Sequence, residues 1–283
     1  MMLQEAVNVG EMVLHHTADE CAIDAYPLFQ WHIPGCHLQY PIGSTLTPTK
    51  HVVFMLLAAV LVFVSMWVAA RGVARTKPGH PPRGFAGAME GLVLWVRDDI
   101  AMANIGHAGA KFAPLIITLF FFILYCNLLG LLPWGSAATG NLAVTGGLAI
   151  LVFLVVEISG MVKLGFKGYM GTIFPHFPGM HGPGAVFLAI FMAPIEILGK
   201  LVKPFALAVR LFGNMTAGHF VILSLFGIVF LFGHLGMWSY GIGITTALLV
   251  TGIMMLELIV ALLQAYVFAL LSAVFIGLMQ HEH

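Results

Sequence analysis

The stretch that decides the fold runs from Gly184 to Phe232: GAVFLAIFMAPIEILGKLVKPFALAVRLFGNMTAGHFVILSLFGIVFLF. It is almost continuously apolar, interrupted only by Glu196, Lys200, Lys203, Arg210 and His219. As one α-helix it would be on the order of 70 Å long. The hydrocarbon core of a bilayer is about 30 Å thick. The stretch is therefore expected to break or to lie steeply tilted, with Pro194 and Pro204 as the places to kink. A second apolar stretch, from Tyr240 to Gln280, has the same excess at roughly 60 Å. His234, Gly236, Trp238 and Tyr240 are expected to form the turn between them. Two over-long helices joined by a short turn predict an antiparallel hairpin lying obliquely in the membrane.

The composition of the whole chain agrees. Of 283 residues, 12 are Lys or Arg and 12 are Asp or Glu, so 8% are charged and 60% hydrophobic. The mean hydropathy is +0.99. Soluble domains carry roughly 25% charged residues, so a charged, water-facing surface is excluded. Disorder is excluded by the high hydrophobicity. Nucleic-acid binding has no support in a chain of zero net charge with few basic residues. No phosphate-binding loop or nucleophile triad is present, so no catalytic site is expected.

Working outward, the first span is expected over roughly Val52 to Ala70, ended by Arg71. Arg71, Arg75, Lys77 and Arg83 follow, broken by Pro78, Pro81 and Pro82. This basic loop predicts a cytoplasmic side and places the N-terminus outside. Residues 85–110 alternate Glu90, Arg97, Asp98 and Asp99 with Leu92, Val93, Trp95 and Val96, which suits an amphipathic surface helix. The second span is expected near Phe112–Trp134 and the third near Leu142–Met161. Lys163 and Lys167 mark a return to the cytoplasm, and the Gly-, Pro- and His-rich segment 162–185 is expected to be irregular. The fold class is thus an all-α polytopic membrane protein. It comprises an N-terminal span, a surface amphipathic helix, a transmembrane hairpin and a C-terminal hairpin of two long tilted helices. Residues 1–50, with Glu5, Glu11, Asp19, Glu20 and Asp24, form an extracytoplasmic segment, and 51–283 form one membrane domain. No signal peptide is read in the N-terminal segment. Cys21 and Cys36 both fall there, where a disulfide is chemically permitted; Cys126 lies in a span. No metal site is proposed for His15-His16 or for His281 and His283.

The polar residues at membrane depth form a short list. After Arg210 the chain has no Lys or Arg, and its acids there are Glu257 and Glu282. Such groups cost several kcal/mol and commonly mark ion pathways. Glu196, Lys203 and Arg210 are spaced by seven and Asn214 follows by four, so they share one helix face about 27 Å long. Ala206, Gly213 and Ala217 flank that face, and small residues let another helix approach. His219 points roughly 180° away from Arg210. Glu257 and Gln264 share a face of the second helix, and antiparallel pairing is expected to bring Glu257 near His219 as a carboxylate–imidazole proton relay. Lys200 and Lys203 read as cations reaching for the interface, Glu157 as an interfacial acid, and Asn127 as an interhelical hydrogen-bonding group.

The run Lys203-Pro-Phe-Ala-Leu-Ala-Val-Arg210-Leu-Phe-Gly-Asn-Met-Thr-Ala-Gly-His219 resembles the signature of subunit a of F-type ATP synthases. Asn127-Leu-Leu-Gly-Leu-Leu-Pro133, Leu263-Gln264-Ala265-Tyr266-Val-Phe268 and Glu90–Asp99 resemble the same family, and the likeness extends from about Asn104 to the C-terminus. The resemblance implies a proton-translocating stator subunit with two half-channels, packed against a rotating ring of c subunits, each with one membrane carboxylate. It implies that Arg210 attracts that carboxylate, that Asn214, His219, Glu257 and Gln264 line the outer half-channel, and that Glu196 belongs to the inner one. Some members place an acid at the position of His219 and a histidine at that of Glu257; here the two are exchanged. It further implies peripheral-stalk b subunits and membrane lipid as partners, no cofactor, and a bacterial inner membrane with the C-terminus cytoplasmic. The implied ion is the proton; sodium fits the same resemblance, because selectivity lies largely on the ring carboxylate. The alternative is a self-contained proton-coupled transporter or channel; such proteins often show internal repeats, and none is evident here.

Overall fold

A computed structural model describes residues 22–25, 29–33, 49–76, 80–132, 135–174, 183–232 and 237–281. Expectations for His15, His16, Cys21, Cys36, Pro133, Trp134, His234, Gly236, Glu282 and His283 lie outside the described residues. Ahead of the membrane helices, β1 (Ala22–Ala25) pairs antiparallel with β2 (Phe29–His32), Ala22 opposite His32 and Ala25 opposite Phe29. The helices then follow as α1 (Lys50–Ala74), α2 (Phe85–Trp95), α3 (Gly109–Gly130), α4 (Leu142–Ile173), α5 (Pro183–Phe232) and α6 (Met237–His281). Among the described residues, five helical stretches are long and apolar enough to cross a membrane. The chain is an all-α polytopic membrane protein with one small strand pair near its N-terminus.

The chain divides into two compact units whose boundaries fall inside helices. The first takes in the described residues up to Val64, with Phe122–Val144 and Leu211–Ala265. Its core joins Ala58 of α1 to Cys126 and Leu129 of α3 and to Ala138 in the loop beyond. Asn127 is fully buried and donates from Nδ2 to the Ala261 carbonyl of α6 at 3.3 Å, while the Thr139 hydroxyl donates to its Oδ1 at 2.8 Å. It is the interhelical hydrogen-bonding group that its position in an apolar span predicts, because a lone amide there has to find partners inside the protein.

The second unit comprises Ser65–Phe121, Thr145–Arg210 and Tyr266–His283. Here α2 continues through a π-helical stretch, Val96–Met102, and one further turn before Gly106 breaks the run. Met89, Val96, Ile100, Ala101 and Ile105 are buried, whereas Arg97, Asp98 and Asp99 are exposed. The segment is therefore amphipathic, as the sequence indicates. Trp95 anchors its apolar face, edge-on to Phe120 of α3 with centroids 6.0 Å apart and stacked on Tyr266 of α6 at 5.6 Å.

Two local readings are corrected, and one open alternative is decided. The segment 162–173 is helical rather than irregular: α4 runs to Ile173 across a kink at Gly165, whose φ of 69° and ψ of 169° leave the helical region. A residue with a Cβ resists that backbone, so the bend belongs to the one residue able to adopt it. Trp238 and Tyr240 lie in α6 rather than in the turn. Pro194 and Pro204 do not break α5, which stays helical for 50 residues, about 75 Å. With α6 at 45 residues, both helices exceed a 30 Å core more than twofold and fit it only at a steep tilt.

Candidate ion-translocation site

On α5, Glu196, Lys203, Arg210 and Asn214 are all exposed. So are Ala206 and Ala217, and Gly199 and Gly213 have open space where a side chain would begin. The series 196, 199, 203, 206, 210, 213, 217 follows three-and-four spacing, so charge and small residues alternate along one bare face. Most other exposed positions of α5 are large and apolar, as at Phe187, Phe191, Leu198 and Phe205, which suits lipid. A face combining a guanidinium with small residues does not suit lipid; it suits a second helix that brings a compensating charge.

Within the first unit, α5 and α6 run antiparallel. Asn214 Nδ2 donates to Gln264 Oε1 at 2.9 Å, and one turn further along, Gly218 faces Glu257. Gln264 and Glu257 are both buried, and Gln264 Nε2 has no hydrogen-bond partner among the described residues. The structure thus brings together Asn214 and Gln264 directly, with Glu257 two turns along α6. It does not join Glu257 to His219: among the described residues no hydrogen bond or ion pair links them. The carboxylate lies over Gly218, and the next residue along the helix turns by about 100°. His219 instead lines a cavity of about 40 Å³ with His51, Ser136 and Thr216. His51 and Ser136 did not stand out in the sequence as site residues; the usable signal was a histidine at the first turn of an apolar span.

In the second unit, Glu196 lines a cavity of about 100 Å³ with Glu157, Lys200 and Lys203. The kink at Gly165 folds the last turns of α4 back, so that the Tyr169 hydroxyl donates to Glu157. Unkinked, residues twelve apart would be separated by about 18 Å. Lys200 Nζ lies 3.9 Å from Glu157 Oε2, donates to Thr172 Oγ1 at 2.8 Å and sits over the Tyr169 ring at 4.6 Å. Lys200 is therefore held by three groups of α4, with its side chain 10% exposed. Lys203 lies over the Phe275 ring at 5.6 Å.

The arrangement defines a class, a multi-pass helical membrane protein with an arginine exposed on a face of small residues of a long apolar helix. The sequence matches the family described as ATP synthase A chain over residues 52–277. It is 43% identical over 270 residues to ATP synthase subunit a 2 of Chlorobaculum tepidum, covering 95% of this chain and 72% of that protein. It is 41% identical over 270 residues to ATP synthase subunit a of Chloroherpeton thalassium, covering 95% and 77%, and 42% identical over 282 residues to that of Myxococcus xanthus, covering 92% and 88%. The chain belongs to the ATP synthase A chain family. A self-contained transporter is not the reading that these relatives favour.

Proposed function

We propose that this chain is the proton-conducting stator subunit of a rotary ATP synthase and that α5 presents Arg210 to a ring of c subunits. The observation that carries the reading is Arg210 itself, exposed on a face of small residues in a long, mostly apolar helix. A guanidinium stays charged in nearly any site. It therefore draws an arriving ring carboxylate into its ionised form and denies protons a direct path across. Asn214, Gln264, His219 and Glu257 line access from the outer side, where a proton is delivered to the ring carboxylate. Glu196, beside the cavity bounded by Glu157, Lys200 and Lys203, lines release on the inner side. Proton flow then turns the ring, and ATP chemistry takes place on other subunits, with peripheral-stalk b subunits holding the stator. The basic loop 71–83 supports a cytoplasmic side for the first loop, which puts residues 1–50 outside an inner membrane and the C-terminus inside.

Cysteine cross-linking tests the facing. A cysteine at Gly213 or Ala217 should form a disulfide with a cysteine in the carboxylate-bearing helix of the ring, and one at the buried Leu207 should not. Cross-linking from Leu207 alone would overturn the proposal.

A further inference from the structure

We propose that His51 is a proton-relay residue of the outer access path, passing protons to and from His219. The inference rests on the functional reading above. His51 opens α1 and is buried at 6% exposure. Its Nδ1 lies 3.1 Å from the Ala137 carbonyl and 2.8 Å from Ser136 Oγ, both in the loop between α3 and α4. A carbonyl only accepts, so the relay uses the tautomer in which Nδ1–H donates to Ala137. In the neutral ring Nε2 is then the basic nitrogen. Two contacts to that loop fix the ring in place, the device by which histidines are oriented when one nitrogen has work to do.

The cavity that His51 and His219 share holds two hydroxyls besides the two imidazoles, those of Ser136 and Thr216. Thr216 Oγ1 is buried without a hydrogen-bond partner among the described residues. A purely structural histidine accounts for the Ala137 and Ser136 contacts. It does not account for an orphaned hydroxyl, nor for a second imidazole lining the same space. A cavity of about 40 Å³ accommodates water, since about 10–15 Å³ suffices for one molecule. A proton arriving from the outer side binds Nε2 of His51, giving an imidazolium. The same nitrogen releases it to water in the cavity, and the water passes a proton to His219. Nδ1–H stays on Ala137 throughout, so the ring need not rotate and charge is balanced at each transfer. His51 lies at the start of the first span and Ser136 beyond the end of the second, so both belong to the side expected to be outside.

The test uses the assembled complex in vesicles with His51→Gln and His51→Ala. Passive proton conductance after removal of the ATP-hydrolysing head should fall about tenfold or more in both. Gln keeps an amide donor for Ala137 but cannot carry a proton, so it should be as slow as Ala. Added imidazole should restore conductance to His51→Ala and not to His51→Gln. Wild-type conductance in His51→Gln, or an Ala variant that imidazole does not accelerate, would overturn the relay. Arg210→Ala is run alongside: if it remains coupled the stator reading itself fails, whereas an uncoupled Arg210→Ala with a fully conducting His51→Gln defeats the relay alone.

Discussion

Gly218→Ala should impair proton translocation by displacing Glu257. A Cβ at residue 218 would lie 2.6 Å from the Glu257 carboxyl carbon and 3.2 Å from its Cγ, and would meet the carboxylate oxygen as well. Ordinary contact begins near 3.4 Å, so the carboxylate has to withdraw by roughly 1 Å at its carbon and roughly 2 Å at its nearer oxygen. Overpacking of this kind costs about 1–3 kcal/mol. At 1.4 kcal/mol per factor of ten, the population with Glu257 in its place falls by about 5- to 140-fold. ATP-driven acidification of membrane vesicles should drop within that range while the complex assembles normally. Gly218→Ala combined with Glu257→Asp should recover part of the loss, because the shorter side chain retracts the carboxylate by one methylene. Wild-type pumping in the single variant, or a double variant no better than the single one, would refute the placement of Glu257 against Gly218.

Two further predictions concern the second unit. Lys200→Met removes the cation beside a Glu157 whose side chain is 8% exposed, and breaking a buried pair in this way costs about 3 kcal/mol. Denaturation of the purified complex should register the loss, and adding Glu157→Gln should recover most of it. Gly165→Ala places a Cβ on a backbone with φ of 69° and ψ of 169°, a region essentially reserved for glycine, at a cost of about 1–3 kcal/mol. It should loosen the fold-back that brings Tyr169 to Glu157, read as greater cysteine accessibility at Tyr169→Cys in the Gly165→Ala background.

The membrane fold was legible because its signal is local. Apolar run length identified α1, α3, α5 and α6, and charge alternation identified the amphipathic segment after Phe85. Phase along one helix also sufficed to put Glu196, Lys203, Arg210 and Asn214 on a single face. What eluded the sequence depends on pairs of elements. Whether Glu257 meets residue 218 or 219 depends on the antiparallel register of α5 on α6, and a one-residue difference turns the contact by about 100°. His51 reaches Ser136 only because the loop after α3 returns to the start of α1. The partners of Lys200, Glu157 and Thr172, eluded the sequence because they come from α4, whose path depends on a single backbone angle at Gly165. The glycines near 165 suggested a loop, whereas only one of them bends the helix.

The central claim is that Arg210 couples this subunit to a ring carboxylate. ATP-driven proton pumping and proton-driven ATP synthesis, measured on the same assembled complexes carrying Arg210→Ala, test it most directly. Both activities should vanish while the subunit remains in the complex; retention of both at near wild-type rates would contradict the account.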